Sequence, residues 1–154
     1  MPVMYDDQHG TAVVVLAALT NAAKVVEREL TSLRIVISGS GAAGLAVAEI
    51  LLTAGISDVI ILDSRSILSV DRTDMYAVKE SFARRSNPLN IVGGPVQAFQ
   101  DADLYIGASS GQVEETLLAT MSSDAMIFAM ANPTPEVHPD TAAVIATTTA
   151  SVQH

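Results

Sequence analysis

Cysteine and tryptophan are missing from this 154-residue chain, and its aromatic residues are three Tyr and three Phe. Without cysteine there can be neither disulfides nor thiolate metal sites. A reducing compartment is compatible with that usage. Basic side chains are also scarce: 8 Lys and Arg stand against 17 Asp and Glu, a net charge of −9 and a pI near 4.5. An acidic chain without a basic stripe is a poor nucleic-acid binder and lacks polybasic attraction to anionic lipid. Long apolar runs are missing too. Ala12 to Leu19 is apolar, but Asn21, Lys24, Glu27 and Arg28 follow, well short of the roughly 18 residues needed to span a bilayer. Asp6 and Asp7 stand where a secretory leader would carry basic residues. A cytoplasmic chain with no membrane and no nucleic-acid partner is expected.

What is abundant is Ala, Val, Ile and Leu. Hydrophobic residues make up 49% of the chain and charged ones 16%, enough apolar material for a single core. Short β-branched runs alternate with alanine-rich stretches. Strands are expected at Arg34–Ser38, Asp58–Leu62, Leu104–Ala108, Ala125–Met130 and Ala143–Ala146. Val3–Tyr5 reads as a strand end and Asp6–Gly10 as a polar loop. Helices are expected at Thr11–Leu30, with Thr11 as N-cap, and at Ala42–Ala54, Asp74–Arg85, Val96–Gln100 and Val113–Met121. Gly55 suits the residue just past its helix. The alternation predicts an α/β domain of the Rossmann type, a parallel sheet with helices on both faces. Ligands of such sheets sit at the carboxyl ends of the strands, here Gly39, Asp63, Ala108 to Ser110 and Ala131-Asn132.

Gly39-Ser40-Gly41-Ala42-Ala43-Gly44 follows the first of those strands and opens a helix. This G-x-G-x-x-G pattern is weak alone and strong in that context. Gly39 would permit the turn, Gly41 would let a pyrophosphate approach the backbone, and Gly44 would let helix and strand pack closely. The amides of Ser40, Ala42 and Ala43 would then face the phosphates at a helix start. Asp63 follows Gly44 by 19 residues, near the spacing of roughly 20 for a ribose-binding carboxylate. Its charge would disfavour a 2′-phosphate, so NAD is expected over NADP. Ser64 and Arg65 complete the candidate cofactor residues, and Arg65 weakens the preference, since a guanidinium could pair with that phosphate.

Asp6-Asp7-Gln8-His9-Gly10-Thr11 is a second constellation. Adjacent carboxylates can hold a hard divalent cation. Acidic residues before a helix also offset its dipole, and spacing by itself favours that plainer role. His9 as a general base, His138 and His154 carry less information still.

Three motifs in order resemble bacterial malic enzymes. Val3 to Ala12 resembles the segment that opens their NAD-binding domain, Ile37 to Gly44 their dinucleotide loop, and Phe128 to Glu136 their Ala-Asn-Pro substrate loop. The likeness runs from about Pro2 to Thr147. It implies oxidation of L-malate with NAD(P)⁺ and decarboxylation to pyruvate, with Mg²⁺ or Mn²⁺. It also implies that Asp7 is a metal ligand with Asp6 beside it in a supporting catalytic role, that Asn132 contacts substrate, and that Gly39, Gly41, Gly44 and Asp63 hold the cofactor. It raises the metal reading of Asp6-Asp7 above the plainer one.

Departures accompany the likeness. The family's acid–base Tyr and Lys, and a Glu-Asp pair of metal ligands, belong to a preceding N-terminal catalytic domain. Residues 1–147 are therefore expected to form the cofactor domain and 148–154 a divergent tail. Ser66 and Glu27 stand where the family commonly has glycine. By itself the chain is expected to be inactive. Its expected partners are malate and either another copy of itself or the missing catalytic domain. A non-catalytic NAD-binding module and a gene remnant are the competing readings.

Overall fold

Four runs of β-branched and apolar residues form four adjacent strands of one parallel sheet. The computed structural model describes residues 4–108, 114–129 and 151–153. Its strands are β1 (Ile35–Ser38), β2 (Val59–Leu62), β3 (Leu104–Gly107), β4 (Met126–Ala129) and β5 (Ser151–Gln153), in the order β2-β1-β3-β4-β5, all parallel. The helices are α1 (Met4–Val25), α2 (Ala42–Thr53), α3 (Ala77–Arg85), α4 (Pro95–Phe99) and α5 (Glu115–Leu118), with a 3-10 turn at Leu30–Ser32.

The period of two along each strand divides the core into two layers. Ile35, Ile37, Val59, Ile61, Leu104, Ile106, Met126 and Phe128 face α1, α2 and α3. Val36, Ile60, Leu62, Tyr105 and Ile127 face α4 and α5. Strands buried on both faces read as unbroken apolar runs, and helices cover both faces as the sequence predicts. Within α2, Gly44, Val47, Ala48 and Leu51 are buried at helical spacing, and α1 packs along α2.

Four expectations change. The segment Asp6–Gly10, expected as a loop after a strand end, belongs to α1, and Thr11 is interior to that helix rather than its N-cap. Carboxylates in the first turn favour a helix, so the same residues suit an earlier start. At its other end α1 stops at Val25, not Leu30. α3 begins at Ala77 rather than Asp74, because Asp74 is held in ion pairs in the preceding loop. α5 ends at Leu118, where bonds from Thr120 N to Leu117 O and Met121 N to Leu118 O tighten the chain into turns. The expected strand Ala143–Ala146 lies outside the described residues, and residues 151–153, within the stretch read as a divergent tail, form β5.

The ends of α1 and α2 share one motif. Gly55 has φ 93°, with Gly55 N bonded to Leu52 O and Ile56 N to Leu51 O, the double bond of a Schellman turn. Glu27 repeats it at φ 56°, with Glu27 N bonded to Lys24 O and Arg28 N to Ala23 O. A side chain in the left-handed region costs roughly 1–2 kcal/mol. Glu27→Gly is therefore expected to stabilise the fold by about 1 kcal/mol and raise the thermal midpoint by about 2–4 °C. Circular dichroism melts check this, and an unchanged or lower midpoint would count against the strain.

At the amino edge of the sheet, Asp103 ties three elements together. Its carboxylate accepts from Arg34 N (2.9 Å) and Ser122 Oγ (2.9 Å) and pairs with Arg28 (3.0 Å). At the sheet's β2 flank, Leu68 N bonds to Ile61 O (2.8 Å) and Asn87 N to Val59 O (2.9 Å). Asn87 is held by its own side chain, which donates to Leu68 O and Ile91 O and accepts from Ile91 N.

Candidate cofactor site

Parallel pairing lines up the carboxyl ends of the strands. Ser38 lies opposite both Leu62 and Gly107, and Gly107 opposite Ala129. Gly39, Asp63 and Ala108 therefore leave the sheet at one edge. β1 has β2 on one side and β3 on the other, so the chain crosses over there and opens a crevice at that edge.

The glycines of the turn differ in what surrounds them. Gly39 has φ 118°, a backbone state that L side chains rarely adopt. A Cβ on Gly44 would overlap the carbonyl oxygen of Gly39, so helix α2 sits directly against the turn. A Cβ on Gly41 would meet nothing within 4 Å. Gly41 is the N-cap of α2, and Leu45 N to Gly41 O is the first bond of its ladder. The amides of Ala42, Ala43 and Gly44 precede that ladder at the positive end of the helix dipole. Open space before free amides fits a pyrophosphate. Beside it Ser38, Leu62, Val96, Phe99, Glu114 and Leu117 line a cavity of about 320 Å³.

Asp63 lies at this edge, and its side chain is 6% exposed. Oδ1 accepts from the amides of Arg65 (2.9 Å) and Ser66 (2.9 Å), while Asp63 N donates to Ser66 O. Ser66 thus closes the turn without a glycine conformation. Oδ2 pairs with Arg72 (2.9 Å) and, at 3.4 Å, with Lys79. Burial pushes the Asp63 carboxyl up, but the Ser66 and Arg65 amides and the Arg72 guanidinium outweigh it and hold the group below its ordinary value. The carboxylate is negative at neutral pH. Arg72 also binds Asp74 through Nε (2.9 Å) and NH2 (2.8 Å), and Asp74 pairs with Arg65 (3.1 Å).

Of the sequence candidates, Gly39, Ser40, Gly41, Ala42, Ala43, Gly44, Asp63, Ser64 and Arg65 come to this one edge. Asp6 and Asp7 lie in the first turn of α1. Asn132 lies outside the described residues. Among the described residues no group of three or more His, Cys, Asp or Glu could hold a metal, and no helix is long and apolar enough to cross a membrane. Arg72 and Asp74 had no motif to announce them. The available signal was the local density of opposite charges between Arg65 and Lys79.

Fold and glycine turn are those of a Rossmann-type dinucleotide-binding domain. The chain belongs to the family described as the malic enzyme NAD-binding domain, which matches residues 8–153. It is 41% identical over 143 residues to the NAD-dependent malic enzyme of Geobacillus stearothermophilus, covering 92% of this chain and 30% of that protein. It is 34% identical to the NADP-dependent malic enzyme of Halomonas elongata, over 92% of this chain and 33% of that one. The crystal structure of the NAD-dependent malic enzyme of Thermotoga maritima superposes with a TM-score of 0.88 at 37% identity, over 95% of this chain and 40% of that one. The chain thus spans about a third of the length of these relatives.

Proposed function

We propose that this chain is the cofactor-holding part of an enzyme that oxidises L-malate with NAD and decarboxylates the product to pyruvate. The observation that carries the cofactor reading is the contrast between Gly41, whose Cβ direction is empty, and Gly44, whose Cβ direction is filled by the turn itself. The protein leaves room at the one position where a pyrophosphate must meet backbone amides.

In this reading the amides of Ser40 to Gly44 hold the diphosphate. A ribose hydroxyl donates to Asp63 Oδ2 in place of Lys79, whose 3.4 Å contact is the longest of the four on that carboxylate. Ser64 and Arg65 border the ribose. The negative charge of Asp63 favours NAD over NADP; named relatives use one or the other. Asn132, three residues after β4 in the sequence, would bind the substrate carboxylate or hydroxyl. Asp7 would be one ligand of Mg²⁺ or Mn²⁺, with Asp6 in support, and a lone helical carboxylate needs further ligands from elsewhere. Bound there, the metal would supply Lewis-acid polarisation of the malate C2 oxygen.

Removal of the C2 hydride requires a base within about 3 Å of the hydroxyl. By the resemblance, that base, and the acid for the later proton transfer to C3, would come from a preceding catalytic domain. A polypeptide limited to these 154 residues is therefore expected to bind NAD and to form no NADH from malate with Mn²⁺. Calorimetry beside an absorbance assay tests both halves. Failure to bind either dinucleotide would overturn the cofactor reading. Robust turnover lost on Asp7→Ala or Asn132→Ala would show that the catalytic groups lie within this chain.

A further inference from the structure

Five side chains beside the β2 end form one alternating chain of charge. It runs Lys79, Asp63, Arg72, Asp74, Arg65, with successive contacts of 3.4, 2.9, 2.8 and 3.1 Å. Arg72 and Lys79 thus contact the single carboxylate expected to meet the ribose, and Arg65 stands further along the same chain of charge. Without a counterweight these cations would reverse the discrimination that Asp63 provides, because a 2′-phosphate would meet a cationic edge. Asp74 is that counterweight. It occupies Nε and NH2 of Arg72 and NH1 of Arg65 at once.

We infer that Asp74 is a specificity-determining residue, keeping the ribose end of the site selective for the unphosphorylated dinucleotide by occupying Arg65 and Arg72; this rests on the cofactor reading above. Arg72 is spoken for on both sides, since its side chain is 13% exposed and lies between Asp63 and Asp74. Arg65 is different. Its side chain is 73% exposed, and its guanidinium donates to Asp74. Freed from that partner it can swing to a phosphate at the ribose. Asp74 remains charged throughout the neutral range, because hydrogen bonding from Arg72 holds its carboxyl far below the ordinary value. The selectivity is therefore a standing property of the site and does not titrate near neutral pH.

The position tolerates a clean test. Asp74 is partly exposed and lies outside the regular elements, so Asp74→Asn preserves shape and removes one charge. Calorimetric titrations of the purified chain with NAD and with NADP are compared for the native protein, Asp74→Asn, Arg65→Ala and the double variant, with melts to show folding. Asp74→Asn is expected to tighten NADP by about tenfold and to change NAD by less than about threefold. Salt should erode the NADP gain, because these charges are exposed. Arg65→Ala should cost more NADP affinity in the Asp74→Asn background than in the native one. An unchanged NAD-to-NADP ratio in folded Asp74→Asn overturns the inference while leaving the cofactor reading intact. Equal losses from Arg65→Ala in both backgrounds overturn it as well. Native protein that binds neither dinucleotide overturns both. Should Asp74→Asn melt early, the same ratio measured in Asp74→Ser at lower temperature decides in the same way.

Discussion

Gly41→Val is expected to weaken NAD binding by more than about a hundredfold while the protein stays folded. The two halves of that statement come from one observation. The Cβ direction at Gly41 is empty to 4 Å, so nothing in the protein resists the side chain. Its φ of −76° and ψ of −170° are extended values open to any residue. The cost to the fold is limited to a poorer helix cap, about 1 kcal/mol. The isopropyl group would instead stand before the amides of Ala42 to Gly44, where the diphosphate must approach. Calorimetry and a thermal melt on the same preparation check it. Native affinity in a folded Gly41→Val protein would mean that the cofactor does not enter over this turn.

Gly44→Ala should behave in the opposite way. The added methyl would overlap the carbonyl oxygen of Gly39. That obstacle is backbone, and it cannot rotate aside. Gly39 is itself held, with φ 118° and its amide bonded to Leu62 O at 2.9 Å. Relief requires α2 to move off the sheet, and α2 carries Val47, Ala48 and Leu51 into the core. A loss of about 3 kcal/mol or more is expected, which for a chain of this size lowers the thermal midpoint by about 6–12 °C. A melt within experimental error of the native one would refute the close fit. Two glycines three residues apart thus separate function from stability, and a binding assay alone would not tell them apart.

The division of labour among the glycines was readable from their spacing, because each role follows from the strand-turn-helix context. The same holds for β1 to β4, short apolar runs of strand length, and for α2, an alanine- and leucine-rich run between the glycine turn and Gly55. The start of α1 was not readable. Asp6 to Gly10 is polar enough for a loop, yet carboxylates in a first turn suit a helix equally well, and local chemistry does not choose between them. Glu27 was readable only as a departure from the family's glycine; its left-handed backbone shows what that departure costs. The surroundings of Asp63 were least readable. Arg72 reaches it, with Asp74 behind Arg72, from an irregular loop whose path is set by packing against β2, and no period marks such a loop. Asp103 hides for a similar reason: its role depends on Arg34, just before β1, and Ser122, in the turn after α5, being brought to it by the fold.

The backbone bonds along β2 bear on how these molecules treat one another. An outer strand offers unpaired carbonyls and amides to any extended segment nearby, and sheets that leave such a flank open invite end-to-end growth into aggregates. Here Leu68 and Asn87 already take the carbonyls of Ile61 and Val59, and Leu62 pairs with Ile67 in an antiparallel bridge. A foreign strand would have to displace them and strip Asn87 of its hold on Leu68 and Ile91. The loop that delivers Arg72 to Asp63 is thus also a guard rail on that flank, and changes made there to retune the cofactor carry a risk for colloidal behaviour as well as for binding.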